Sequence, residues 1–451
     1  MDTLSLTFSR FSLPRLGGRT AFVLGLLLSL FVFSFAGRSN YLLLLALLVP
    51  LFCGSAVTLV SFVFLCVLSS PLVPVALGEN PLSHILLSDV LLSAALLKWS
   101  LNLLLSRRKL NASFLNVATF ALVSFVTLTA GLGILSGRGF VSLLAEVRGM
   151  LYFAAVVWAV DSIRSKKDAK KVLNGLFVLL VFFMVRQILF FDANQLLRRE
   201  TVTSFEAVII LCLAPFLFSL ALEGSSGFWV WPLFGGAVVS VLFTLRRSFL
   251  VGLLAALFFV VPSRPRISVA GFLSVVSVVL LAVLAAHYAQ GGVWSVFADY
   301  VALLSPSSDI NFLGRIEENA LAVSAFAVSP LLGSGFGVSS VFSEMNSECA
   351  YPSWCALLVG GPHNAFLWIL MRLGLLGLLL LLSLVSFSVR LSLRARSSQE
   401  PFTRAVGRGF QGFLVAAFVV GVFFPAFNDI RVVSLFAVLV AVLSACVNDN
   451  M

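Results

Sequence analysis

Residues 363–389 read HNAFLWILMRLGLLGLLLLLSLVSFSV, and the stretch is almost entirely apolar. A run of this length can cross the roughly 30 Å hydrocarbon layer of a bilayer as a helix. Comparable runs recur along the chain, whose 451 residues are 60% hydrophobic and only 11% charged, whereas a soluble protein has about a quarter of its residues charged. Because lipid offers no partner for an unpaired backbone amide, we predict an all-α, many-pass membrane protein.

Hydropathy and loop charge together predict about 12 to 14 transmembrane helices. One long segment, residues 288–362, separates the spans near 267–288 and 363–389. It divides the chain into N-terminal helices (1–287), a long extracytoplasmic loop (288–362) and C-terminal helices (363–451), and a loop of this length tends to be functional or to hold helices of its own. The candidate spans lie near residues 20–37, 40–54, 55–77, 84–104, 113–135, 140–160, 172–191, 204–222, 228–244, 249–262, 267–288, 363–389, 409–427 and 430–447.

The basic loops set the orientation of these spans. With an uncleaved first span and the N-terminus inside, residues 107–109, 164–171, 264–266 and 390–408 all lie on the cytoplasmic face, as the positive-inside rule requires. The net charge of +11 therefore reflects topology, and we expect no nucleic-acid partner. The long segment faces outward in this arrangement. If that compartment is oxidising, Cys349 and Cys355 are candidates for a disulfide, and two unpaired thiols are the alternative.

Several arginines fall on the outer face, where basic residues are under-represented. Arg246 and Arg247 stand between two apolar spans, and Arg315 lies in the long segment. Arg186 falls within the outer half of an apolar run, and Arg199 lies in the short outer loop that follows it. Arginines that converge on one cavity would bind a diphosphate, because the guanidinium group makes forked hydrogen bonds to phosphate oxygens. The alternatives are snorkelling to lipid phosphates or structural ion pairs with a nearby carboxylate: Glu200, Glu206, Glu317 or Glu318.

His363 stands at the outer mouth of a long apolar helix, directly after Pro362. A neutral imidazole there could accept a proton from a substrate hydroxyl, and a capping or packing role is the alternative. The glycine-rich residues 333–337 lack the lysine of a phosphate-binding loop, so we interpret them as a turn. No metal-ligand spacing occurs in the sequence, and we predict neither a metal nor another cofactor.

Four ordered motifs resemble the signature of the O-antigen ligase and polymerase superfamily. They are Gly314-Arg315, SPLLGSGFG at residues 329–337, PHNAFL at 362–367 and LGLLG at 373–377. Arg246-Arg247-Ser248 is similar to the arginine motif that this family carries in an outer loop. Together these motifs span roughly residues 190 to 390, and the N-terminal part matches only in its general pattern of spans.

This resemblance implies a GT-C-like, metal-independent glycosyltransferase of the cytoplasmic (inner) membrane, active on the extracytoplasmic side in surface polysaccharide biosynthesis. The donor would be a glycan on a polyprenyl (undecaprenyl) diphosphate, and the acceptor a glycan, lipid or protein hydroxyl. His363 matches the family's proposed base, and Arg246 or Arg247, Arg315 and, more loosely, Arg199 match its diphosphate-binding arginines. Ligase and polymerase share these motifs, so both readings stand.

A transporter or flippase is the main alternative from another class, because many spans and intramembrane charges suit a permeation path. Transporters usually contain an internal repeat, however, and no two halves of this sequence look alike. A membrane scaffold is a second alternative. It would leave the outer arginines and His363 without a shared purpose.

Overall fold

The computed structural model describes residues 54–68, 86–106, 113–189, 204–225, 227–244, 246–261, 277, 310–337 and 362–448. These residues form helices and short connections, with no β-strand among them. The helices are α1 (Ser55–Leu68), α2 (Leu87–Leu105), α3 (Phe114–Leu135), α4 (Phe140–Leu151), α5 (Ala155–Ser162), α6 (Lys166–Leu189), α7 (Ser204–Leu222), α8 (Val230–Phe243), α9 (Arg247–Val260), α10 (Ile310–Val328), α11 (Ala365–Arg396), α12 (Pro401–Gly421) and α13 (Ile430–Asn448).

Five helical segments are long and apolar enough to cross a membrane: Leu87–Leu105, Phe114–Leu135, Leu143–Ser162, Ala365–Arg396 and Ile430–Asn448. The prediction of an all-α, many-pass membrane protein is confirmed. The total number of spans stays a prediction, because the span near 20–37 and most of those near 40–54 and 267–288 lie outside the described residues.

Most predicted spans within the described residues match a helix closely at both ends. The span near 409–427 is a correction, since the helix there runs from Pro401 to Gly421. Proline is favoured in the first turn of a helix, where its missing amide hydrogen costs nothing. Pro425 then falls in the turn that follows. Hydropathy misplaced this helix because its first turns carry Arg404 and Arg408.

Helix α13 forms the centre of the bundle. Its side chains from Val432 to Val447 are buried, and it packs against α1, α5, α6 and α12. A helix that is apolar on all sides belongs in such a position. Helix α3 lies at the periphery, where Phe114, Leu128 and Leu135 are exposed, as expected for side chains that face lipid.

Polar contacts join distant segments of the chain near the basic residues 164–171 and 390–408. Lys166 Nζ lies 2.8 Å from a carboxylate oxygen of Glu400, and Trp99 donates to Asp161 at 2.9 Å. These contacts bring distant parts of the chain together at one end of the bundle. We call this the opposite end of the bundle, since the candidate site lies at the other end.

Candidate active site

His363 and Glu318 form the centre of the candidate site. The His363 Nδ1 atom lies 2.8 Å from Oε2 of Glu318, and the backbone amide of His363 donates to the same oxygen at 3.2 Å. The His363 side chain is 40% exposed, whereas that of Glu318 is 9% exposed. The site therefore combines an accessible imidazole with a largely buried carboxylate.

Asn364 takes the capping role that the sequence left open for His363. Its side-chain oxygen accepts hydrogen bonds from the amides of Phe366 and Leu367, at 3.0 and 3.1 Å. Asparagine is among the best residues for this N-cap position. Because the cap of α11 is already supplied, the His363 ring is left to contact Glu318.

Arg315 lies one turn before Glu318 on α10, and its guanidinium group sits 5.9 Å from the centre of the Phe423 ring. Arg246 is the N-cap residue of α9 and lies over the ring of Phe249 at 5.5 Å. Burial lowers the pKa of the Arg246 guanidinium, and the positive charge of Arg315 lowers it further. The two guanidinium groups are thus close enough to repel each other.

Neither arginine forms an ion pair with a carboxylate within the described part of the chain. Glu318, one of the partners considered from the sequence, contacts His363 instead. The ion-pair alternative does hold for Arg186, which lies 2.6 Å from Glu206. The arginines near His363 therefore differ from Arg186 in that no described carboxylate neutralises them.

The other predicted site residues are not tested by these contacts. Arg247 opens α9, and its side chain is not among those described. Arg199, Cys349 and Cys355 lie outside the described residues, so their roles remain predictions. Of Arg246 and Arg247, only Arg246 has a described side chain, and its pKa is lowered by the charge of Arg315.

The glycine-rich segment is a turn, as predicted, and it docks against a break in α11. At Gly374 the backbone leaves the helical conformation, with φ 63° and ψ −166°. The amide of Ser334 donates to the carbonyl of Met371, and the amide of Leu375 donates to the carbonyl of Pro330, both at 2.8 Å. These bonds satisfy backbone groups that the break leaves without helical partners.

Two glycines make this docking possible. A Cβ atom added to Gly333 would lie 2.5 Å from the backbone of Arg372, and one added to Gly374 would lie 2.4 Å from the carbonyl oxygen of Leu331. Both residues also have positive φ angles, which are unfavourable for residues other than glycine. The two motifs of the sequence signature, residues 329–337 and 373–377, are therefore halves of one junction.

A buried ion pair anchors the same junction to α4. Arg372 is 0% exposed and lies 2.7 Å from Glu146, which is 6% exposed. The second Glu146 oxygen accepts from the amide of Gly337 at 2.8 Å, and Arg138 donates to the carbonyl of Phe336 at 2.6 Å. This anchor fixes the chain that follows α10, and so fixes α10 relative to α11.

Four residues of the site region were not assigned a role from the sequence: Arg372, Glu146, Arg138 and Glu318. A usable signal existed for Arg372, because a lone charge inside a long apolar run usually faces a polar partner in the protein interior. No comparable signal existed for Glu318. It adjoins Glu317 in a polar stretch, and only its position on α10 distinguishes the two.

A family model described as O-antigen ligase matches residues 232–382. The matched region contains Arg246, Arg315, Glu318, His363 and both halves of the glycine junction. No curated protein matches the chain with significant similarity. Over residues 232–382, the chain is therefore similar to the O-antigen ligase family.

Proposed function

We propose that this protein transfers a glycan from a polyprenyl (undecaprenyl) diphosphate carrier to an acceptor hydroxyl at the outer face of the cytoplasmic membrane. The observation that carries the proposal is the grouping of His363 with Arg246 and Arg315 at one end of the bundle. All three residues lie in the region that matches the O-antigen ligase family. Surface polysaccharide biosynthesis is the corresponding process.

The two arginines would bind the diphosphate. Their positive charges repel each other, and a bound anion would offset this repulsion. Guanidinium groups remain charged and bind phosphate oxygens through paired hydrogen bonds. As the bond between the sugar and the diphosphate breaks, negative charge grows on the leaving group, and fixed positive groups stabilise it without a metal.

His363 would act as the general base. Its ring takes the proton of the acceptor hydroxyl as the acceptor oxygen bonds to the anomeric carbon of the donor sugar. The bond between that carbon and the diphosphate oxygen breaks, and its electron pair leaves with the carrier diphosphate. The exposed ring can be reached by an acceptor, as a general base must be.

Ligation is the first form of this proposal, because the matching family model is described as O-antigen ligase. Its acceptor would be a lipid-linked or protein hydroxyl. Polymerisation uses the same donor chemistry with a second carrier-linked glycan as acceptor, so the acceptor alone separates the two forms.

The test compares surface glycans and carrier lipid in cells that lack the gene, after complementation with wild type, His363→Ala or the control Glu400→Gln. General-base catalysis typically contributes about 10²- to 10⁴-fold, so we expect His363→Ala to abolish detectable transfer while protein level stays normal. Glu400 lies at the opposite end, and its variant should behave as wild type.

The same samples also show which kind of acceptor the protein uses. Single repeat units that remain on the final acceptor would indicate a polymerase, and their loss together with long glycans would indicate a ligase. An unchanged glycan profile in cells without the gene would overturn the transferase proposal. Accumulation of carrier-linked glycan on the cytoplasmic side would favour the transporter alternative.

A further inference from the structure

We propose that Glu318 is a positioning residue, which holds His363 in the tautomer that acts as the base. The inference rests on the proposed function, because it assigns a role relative to the same proton transfer. It also makes a claim about the ring itself, which can be tested without any substrate.

The 2.8 Å contact between Glu318 Oε2 and His363 Nδ1 determines where the ring hydrogen lies. An ionised carboxylate can only accept hydrogen bonds. Nδ1 must therefore carry the hydrogen, and Nε2 is left with the free electron pair. The tautomer of a histidine is set in this way by the hydrogen bond of its other ring nitrogen.

The second contact of Glu318 fixes more than the tautomer. The same oxygen accepts from the backbone amide of His363 at 3.2 Å, so the ring and the chain that carries it are held by one group. Because the Glu318 side chain is only 9% exposed, water competes little for its hydrogen bonds, which are correspondingly stronger. Its negative charge would also stabilise the imidazolium that forms when Nε2 accepts a proton.

Helix α10 links this role to donor binding. Arg315 and Glu318 lie one turn apart on α10, and the glycine junction and the Arg372–Glu146 pair hold the chain that follows the helix. One rigid element would thus place both the diphosphate and the base. A tie between α10 and α11 with no effect on chemistry is the alternative reading of the contact.

The direct test is the protonation of the ring nitrogens. The chain has three histidines, so ¹⁵N-histidine labelling of the full protein in detergent gives few signals, and His363→Gln identifies the one of interest. We expect neutral His363 to carry its hydrogen on Nδ1, and to lose this preference in Glu318→Ala. A wild-type ring protonated on Nε2, or a tautomer unchanged in Glu318→Ala, would overturn the inference.

The kinetic test uses transfer to acceptor in vitro by Glu318→Gln, Glu318→Ala and the control Glu400→Gln. The amide oxygen of glutamine can still accept from Nδ1, so we expect kcat to fall in the order wild type, Gln, Ala. The loss in Glu318→Ala should be about 100-fold, within the range of general-base catalysis, with KM for the donor changed little.

The two tests separate the inference from the proposed function. If wild type transfers no glycan but its ring shows the Nδ1–H tautomer lost in Glu318→Ala, the proposed function fails and the structural claim stands. If wild type is active, and if KM for the donor rises in Glu318→Gln and Glu318→Ala by the same factor by which kcat falls, the positioning role is wrong. Thermal unfolding checks that both variants fold, and the Gln variant, nearly identical in shape, carries the test if Ala does not.

Discussion

Two arginines on neighbouring elements differ completely in their surroundings. Arg372 is fully buried and lies 2.7 Å from Glu146. Arg315 is partly exposed, lies over the ring of Phe423 and has no ion-pair partner among the described carboxylates. Both occur in the region that matches the O-antigen ligase family.

The comparison separates an arginine that is paired inside the protein from one that we propose to bind the diphosphate. A buried arginine with a carboxylate partner has its charge neutralised inside the protein, and it serves to fix the glycine junction. For Arg315, which has no described carboxylate partner and whose charge acts on Arg246, we propose binding of an external anion. Three predictions test this distinction, from the largest expected effect to the smallest.

The largest effect should come from breaking the buried pair. Arg372→Ala leaves the Glu146 charge buried without its partner, and such changes destabilise proteins by about 3–5 kcal/mol. We expect a large fall in the apparent unfolding temperature in detergent, with loss of transfer as a consequence of lost structure.

The neutral double variant Arg372→Met, Glu146→Gln is the matched control for this prediction. It leaves no buried charge, and the glutamine oxygen can still accept from the amide of Gly337. Its stability should recover a large part of the loss. If Arg372→Ala were as stable as wild type, the pair would not be the anchor that we describe.

The second prediction concerns the junction itself. Gly333→Ala places a methyl group 2.5 Å from the backbone of Arg372 at a φ of +72°, and a left-handed backbone at a residue other than glycine costs about 2 kcal/mol even before the clash. We expect a lower unfolding temperature and reduced transfer.

Gly131→Ala provides the comparison for Gly333→Ala, because this helical glycine has open space around its Cβ position. Its unfolding temperature should stay equal to that of wild type or rise slightly. Equal behaviour of the two variants would argue against a close approach at Gly333.

The third and smallest effect is expected at Arg315 and Arg246. Arg315→Gln and Arg246→Gln remove a charged hydrogen-bond donor, which is worth about 1.5 kcal/mol or more, or roughly a tenfold loss of kcat/KM for the donor. Unfolding temperatures should change little, since neither arginine has a described carboxylate partner to leave unpaired.

Arg164→Gln is the control for these two variants, because Arg164 is exposed and pairs with Asp161 at the opposite end. Its transfer rate should match that of wild type. If Arg315→Gln unfolds as readily as Arg372→Ala, the distinction between architectural and ligand-binding arginines is wrong.

Much of the fold could be predicted from the sequence. The span predicted near residues 113–135 is a helix from Phe114 to Leu135, and the glycine-rich segment is a turn. These features follow from local composition, since a long apolar run needs a helix in lipid and glycine tolerates a positive φ. The end points of α12 were misplaced where arginines begin an otherwise apolar helix.

The sequence by itself determined that the chain is a bundle of membrane helices, that His363 precedes a long helix and that arginines stand near the same end. Only the tertiary structure decided which carboxylate each of these side chains contacts. His363 meets Glu318 across 45 residues, and Arg372 meets Glu146 across 226. Hydropathy is a property of one segment at a time, whereas the choice of partner depends on which helix ends pack together. That choice pairs Arg372 with Glu146 inside the protein, whereas Arg246 and Arg315, which have no described carboxylate partner, are the arginines that we propose for diphosphate binding.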